Sequence, residues 1–154
     1  MRVPARWAPV LLALAAATGC GAQTVRMEPP LPDAAVEERC AALVADLPRT
    51  LMDADRVGVR PESELTAAWG EPAIGLRCGV ARPTSLAPDS HLTEVNGVPW
   101  LSEPADAPTV FTAVGHEAYV ELLLPPSYGP PAPALTTIGD LVSEHLTPLP
   151  DGAL

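Results

Sequence analysis

Apolar positions recur at helical spacing in two parts of the chain. The first part follows Asp33, a residue type that often caps a helix, and ends at Pro48. Its apolar positions are Val36, Cys40, Leu43, Val44 and Leu47. The second part follows a Pro-rich link and is weakened by a glycine at position 139. Its apolar positions are Leu135, Ile138, Leu141, Val142 and Leu146. The pattern therefore predicts an N-terminal and a C-terminal helix.

Short β-rich runs fill the region between these helices. Residues 73–80 predict one strand, and residues 109–114 and 118–124 predict a pair of strands. The clearest local signal is Asn96-Gly97 within residues 92–101, because this dipeptide adopts the positive φ angles that a two-residue hairpin turn needs. We therefore expect most of the sheet to be antiparallel.

The residues before these strands have a weaker pattern. Residues 49–62 are polar and predict an irregular connection. Residues 63–69 predict a short helix, with Leu65, Ala68 and Trp69 on one face and Gly70 as its terminator.

The order of these elements predicts the fold class. Helix, strands and helix in succession favour an α+β domain, in which the two helices pack on one face of a small, mainly antiparallel sheet. We find no internal repeat and no second domain.

An apolar run that ends at Cys20 predicts export. Arg2 and Arg6 precede the run, and the small residues Thr18 and Gly19 stand directly before Cys20, as in the lipid-attachment site of a bacterial lipoprotein. The position that usually holds Leu in that site is Ala17 here. The alternatives are an uncleaved single-pass signal anchor, for which this run is short, and simple secretion without lipid.

The lipoprotein interpretation divides the chain into four parts. Residues 1–19 are the predicted signal peptide and residues 20–32 a flexible, Pro-rich tether. Residues 33–147 form the predicted domain, and residues 148–154 a disordered tail. A diacylated Cys20 would hold the protein on the outer face of the cytoplasmic membrane.

The cysteine count supports this division. The chain has three cysteines, and lipidation of Cys20 leaves Cys40 and Cys78 as a pair. Cys40 lies on the apolar stripe of the first helix, and Cys78 lies in the predicted strand 73–80. We expect a disulfide between them, with Cα atoms roughly 4.4 to 6.8 Å apart. The alternative is a pair of reduced, buried thiols.

Charge and motifs narrow the classes of function. The formal net charge is −10, and loss of Arg2 and Arg6 with the signal makes the exported part more acidic, which argues against nucleic-acid binding. The histidines are far apart and lack metal-ligand spacing, so we predict no metal and no cofactor; they are His91, His116 and His145. The polar loop before and including His91 contains serines and an aspartate, but it lacks any spacing typical of a catalytic motif. Those neighbours are Ser85, Asp89 and Ser90.

Three segments carry a resemblance to a known family. Residues 67–79, residues 95–100 and residues 118–121 resemble an actinobacterial family of short exported proteins of unknown function. In that family a cysteine follows the export signal and a later cysteine pair is usual, which Cys20, Cys40 and Cys78 match. The resemblance implies an envelope protein and supplies no activity.

These observations predict a cell-envelope lipoprotein that binds an envelope protein or a cell-wall component and is not an enzyme. The alternative is a small envelope hydrolase that acts on cell-wall components. Such an enzyme would need His91 in a concave pocket, within hydrogen-bonding distance of a serine or a carboxylate.

Overall fold

The computed structural model describes residues 23–150 and 152–154. The predicted signal peptide and Cys20 lie outside the described residues, so their assignments stay predictions. None of the helices in the described ranges is long and apolar enough to cross a membrane.

Nine short strands form one mainly antiparallel sheet. The strands are β1 (Thr24–Arg26), β2 (Thr50–Leu51), β3 (Ala54–Arg60), β4 (Thr66–Trp69), β5 (Ile74–Val80), β6 (Leu92–Val95), β7 (Val98–Glu103), β8 (Val110–Ala113) and β9 (Tyr119–Leu123). Their order across the sheet is β1-β3-β4-β5-β9-β8-β7-β6, and β2 pairs with β3. Only β1, which runs parallel to β3, departs from antiparallel pairing among the described strands.

Two α-helices flank strands β2 to β9 in sequence, as the apolar pattern predicts. Helix α1 (Ala34–Ala45) begins at Asp33, whose Oδ1 accepts hydrogen bonds from the backbone N–H groups of Ala35 and Val36. Helix α2 (Ala132–His145) contacts α1, β6 and β7, and α1 also contacts β5. The predicted α+β class is confirmed.

The core lies between the helices and one face of the sheet. Trp69 of β4 and Trp100 of β7 are fully buried there, together with the alternate residues Ile74, Leu76 and Cys78 of β5. Arg77 lies between Leu76 and Cys78, so the alternation of side chains along β5 places it on the opposite face. We call that opposite surface the helix-free face.

A disulfide ties α1 to the centre of the sheet. Cys40 and Cys78 are both fully buried, and their Cα atoms lie 5.4 Å apart. The predicted bond is confirmed, and its separation falls within the expected range.

The hairpin at Asn96-Gly97 is also confirmed. Val95 and Val98 stand opposite each other at the ends of β6 and β7. Asn96 and Gly97 have φ angles of 55° and 81°, the signs that this turn requires.

The segment before β5 differs from its prediction. Residues 66–69 form β4 instead of a helix, and residues 49–62, expected to be irregular, contain β2 and β3. All four residues of β4 are buried, so the strand has no polar side to create an alternating pattern. Without alternation, a short apolar run cannot be assigned to a strand or a helix by its period.

The tether prediction for residues 20–32 is corrected from Gln23 onward. Residues 24–26 are strand β1, paired with β3, and residues 27–32 then cross the helix-free face. The side chain of Met27 lies over Gly75 of β5, so close that a Cβ at Gly75 would be 2.6 Å from the Met27 Cε. We call residues 27–32 the strap.

The tail prediction for residues 148–154 is corrected as well. The Leu149 backbone N–H donates to the Gly115 carbonyl over 2.9 Å, and Leu154 packs against a small apolar cluster on the other side of the sheet from the main core. That cluster contains Leu86, Leu101 and Val114. Backbone pairing and apolar burial order the described part of this segment.

Candidate functional site

The helix-free face is covered in two places and open between them. The strap crosses over β5, near the centre of the sheet, and the cluster around Leu101 with the C-terminal residues covers the part at β7. A strip along β5 and β9 stays accessible. Two adjoining depressions of about 240 and 630 Å³ lie along this strip, and both are lined by Arg77 and Glu121.

We call the two depressions together the strap groove. The smaller one is its near half, and the larger one is its far half. Val25 and the strap form one wall, β5 forms the floor, and β9 forms the other wall. The floor strand β5 has seven residues and the β9 wall has five, which correspond to roughly 23 Å and 17 Å of extended chain. The groove is therefore long and narrow, and it runs parallel to the strands.

A cross-strand ion pair lies at the centre of this groove. Glu121 Oε1 accepts a hydrogen bond from Arg77 Nε at 2.9 Å, and Arg77 Nη2 lies 2.7 Å from the same oxygen. The residues are direct partners in the β5–β9 register, which holds the two side chains on the same face. Their side chains remain 34% and 24% exposed, so the pair contributes little to stability, about 0 to 1 kcal/mol. A ligand in the groove would meet a fixed, partly desolvated pair of charges.

Further charges differ between the two halves of the groove. The near half adds Arg26, whereas the far half adds Asp33 and Glu117. Glu117 is held by Arg39 of α1, whose Nε lies 3.0 Å from Glu117 Oε1. The groove therefore offers positive charge near β1 and negative charge near α1.

Exposed apolar side chains also border the groove. Leu31 and Leu123 are the large hydrophobic residues exposed in the part of the chain that the structure describes, at 96% and 41%. Leu31 stands on the strap between Pro30 and Pro32, and Leu123 stands on β9. A single exposed leucine needs no explanation, but these two give the groove an apolar side chain on each of its opposite walls.

The serines of the loop before His91 have partners other than the histidine. His91 is exposed and takes part in none of the hydrogen bonds found among the described residues. Ser85 Oγ donates instead to Glu103 Oε1 over 2.6 Å, and Ser90 Oγ accepts from the Ala87 backbone N–H. Among the described residues, none of the hydrogen bonds of Ser85 or Ser90 is to His91.

The other two histidines have local partners. His116 is buried in the turn after β8, with Nδ1 3.1 Å from the Val114 carbonyl oxygen. His145 Nε2, at the end of α2, lies 2.9 Å from Asp46 Oδ2 at the end of α1, although the direction of approach is poor for a hydrogen bond. Over residues 23–150 and 152–154, no three potential metal ligands cluster.

Comparison with known proteins places the chain in a family. A model of the family described as "Protein of unknown function (DUF3515)" matches residues 3–150. The chain belongs to this family. No curated protein and no solved structure matches it. The resemblance to a family of unknown function is thus confirmed at that level, while the lipid anchor and the actinobacterial origin stay predictions.

The strap groove of this DUF3515 protein was not predicted from its sequence. Arg77 and Glu121 are 44 positions apart, and no spacing rule joins them. A signal was present, since each is a charged residue inside a predicted strand. A charge within a strand indicates that one face of the sheet is accessible to water.

Proposed function

We propose that this DUF3515 protein is an exported lipoprotein, anchored through Cys20 to the outer face of the cytoplasmic membrane. Its domain binds an extended segment of an envelope protein in the strap groove and catalyses no reaction. The observation that carries the binding role is the placement of Leu31 and Leu123 on opposite walls of the groove.

The shape of the groove favours an extended polypeptide. It follows β5 for roughly 23 Å and β9 for roughly 17 Å, which matches five to seven residues of extended chain. Leu123 borders its near half and Leu31 its far half, so the apolar contacts are spaced along the groove. Peptide-binding sites commonly combine such spaced apolar anchors with a few fixed polar groups, and the Arg77–Glu121 pair supplies the latter.

Two observations support export. The apolar run ends in small residues and Cys20, as in a lipoprotein signal. The disulfide between Cys40 and Cys78 is typical of proteins that fold in an oxidising compartment.

Site-specific photocrosslinking in intact cells tests the binding role. A photoreactive amino acid at Leu123 should capture a discrete partner, whereas the same amino acid at Thr93, exposed on the distant strand β6, should not. Leu31→Asp should reduce capture from position 123, because it places a charge on the opposite wall. Equal capture from both positions, or capture that Leu31→Asp leaves unchanged, would refute the groove as the binding site.

Fatty-acid labelling tests the anchor. Wild-type protein should incorporate labelled fatty acid, and Cys20→Ser should abolish incorporation and alter signal processing. Wild-type protein without label would refute lipid attachment.

A further inference from the structure

The first described residue is already fixed to the domain. Gln23 Nε2 donates to Glu71 Oε2 over 2.8 Å and to the Gly70 carbonyl over 3.3 Å. The Gln23 carbonyl accepts from the Gly58 backbone N–H over 3.1 Å. Side-chain and backbone bonds thus hold Gln23 against β3 and the turn between β4 and β5.

Little chain separates Gln23 from the proposed lipid-bearing residue. Only Gly21 and Ala22 lie between Cys20 and Gln23. Three Cα–Cα steps of 3.8 Å span at most about 11 Å, whatever conformation they adopt. The distance between the lipid and the domain is therefore limited by covalent geometry.

We infer that the lipid on Cys20 holds one edge of the sheet against the lipid headgroups. This edge, which we call the anchor edge, comprises Gln23, Gly58 and the turn 70–72. The inference rests on the proposed lipid attachment at Cys20, because only then does the reach of about 11 Å start from the bilayer surface. Strand β4 spans the four residues Thr66–Trp69, roughly 13 Å, and Glu64 lies beyond its far end, farther from the membrane than Glu71.

The carboxylates at the anchor edge do not attract it to the bilayer, so only the lipid on Cys20 should hold this edge near the headgroups. Glu71 is exposed, and Asp55 lies beside the turn because its carbonyl accepts from the Gly70 backbone N–H over 3.0 Å. Two carboxylates near the surface disfavour adhesion to anionic headgroups. Without lipid on Cys20, this edge should show no affinity for a bilayer.

The position of the anchor edge also places the near half of the strap groove close to the bilayer. Val25, which lines the near half of the strap groove, is only two residues after Gln23. A partner segment that enters the near half must therefore be available close to the bilayer.

Energy transfer to the bilayer surface tests this orientation. The exported protein, purified from membranes and reconstituted in vesicles of phosphatidylglycerol and phosphatidylethanolamine, carries a donor fluorophore at Glu71 or at Glu64. Both are exposed glutamates beyond opposite ends of β4. Labelling at position 71 removes the bond from Gln23 Nε2 to Glu71 Oε2, but the bonds of Gln23 to the Gly70 carbonyl and the Gly58 N–H remain. With acceptors on the headgroups, we expect stronger transfer from position 71.

An inserted linker provides the decisive control. Ten Gly and Ser residues between Ala22 and Gln23 add a typical span of about 18 Å, so transfer from position 71 should fall to the level of position 64. Equal transfer from both positions in the native-length protein, or transfer at position 71 that the linker leaves unchanged, would overturn the inference.

A second readout separates the two proposals. Fatty-acid label on the wild-type protein, combined with equal transfer from both positions, leaves the anchor intact and overturns only the orientation. Absence of the label overturns the lipid anchor and the orientation that depends on it. Cys20→Ser protein should show no transfer from either position, because the acidic anchor edge does not adhere.

Discussion

Removal of the disulfide should destabilise the domain by about 4 kcal/mol. The bond joins residues 38 positions apart, and in the chain-entropy model closing a loop of this length removes about 13 cal/mol/K from the unfolded chain. At 25 °C this corresponds to about 4 kcal/mol of folding free energy. A domain of this size has a net stability of roughly 5 to 15 kcal/mol, so the loss should be large but should leave a folded population.

The double variant Cys40→Ala/Cys78→Ala is the appropriate perturbation. Both sulfurs are fully buried, and replacing both residues avoids a lone thiol that could form other disulfides. Unfolding by guanidinium should be measured in a Cys20→Ser background, where the protein carries no lipid and no third thiol. The free energy of unfolding should fall by about 4 kcal/mol relative to the Cys20→Ser control.

The slope of the unfolding curve helps to interpret the result. Without the cross-link the unfolded chain exposes more surface, so the m-value should stay equal or rise. A loss below about 1 kcal/mol would refute the reasoning, because it would mean that the bond hardly restricts the unfolded chain.

Other predictions concern single positions. Gly97→Val should lower the free energy of unfolding by about 1 kcal/mol or more, because Gly97 has a φ of 81° and an added Cβ would meet no atom within 4 Å, which leaves backbone strain as the cause. An unchanged unfolding midpoint would contradict this. Asp33→Ala should cost about 1 kcal/mol by removing the cap of α1, and Asp33→Asn should largely preserve stability; equal losses in both would contradict the capping role. Gly70→Ala should destabilise more than Gly97→Ala, because its Cβ would also displace Tyr128, whose hydroxyl donates to the Pro72 carbonyl; thermal unfolding of the two variants compares the costs.

The features that could be predicted from the sequence are those that local interactions determine. The Asn96-Gly97 hairpin and the Asp33 cap depend on a few adjacent residues, so their signals are complete within a short window. The disulfide was also predictable, since assigning Cys20 to the predicted lipid site leaves Cys40 and Cys78 as one possible pair. In contrast, β4 is enclosed by β3 and β5 and is buried along its whole length, and only tertiary contacts decide that it is a strand.

The candidate site depends on contacts that are distant in sequence. The Arg77–Glu121 pair arises from the register of β5 with β9, and the strap lies over Gly75 because Met27 occupies the space that a side chain there would fill. Neither relation has a spacing that a sequence pattern could show. The polar residues inside predicted strands indicated an accessible face, but they could not indicate what borders it.

The strap shows why a Pro-rich composition was a poor guide to disorder here. Three of its six residues are proline, which lacks a backbone N–H group and has its φ angle fixed by the ring. Such a segment can cross the face of a sheet with few amide groups left unpaired, and it loses less conformational entropy on ordering than other sequences do. The composition that resembles a loose tether therefore also suits a rigid wall. Because Leu31 stands on this stiffened segment, a partner that packs against it would order little further chain, and more of the contact energy would remain for binding.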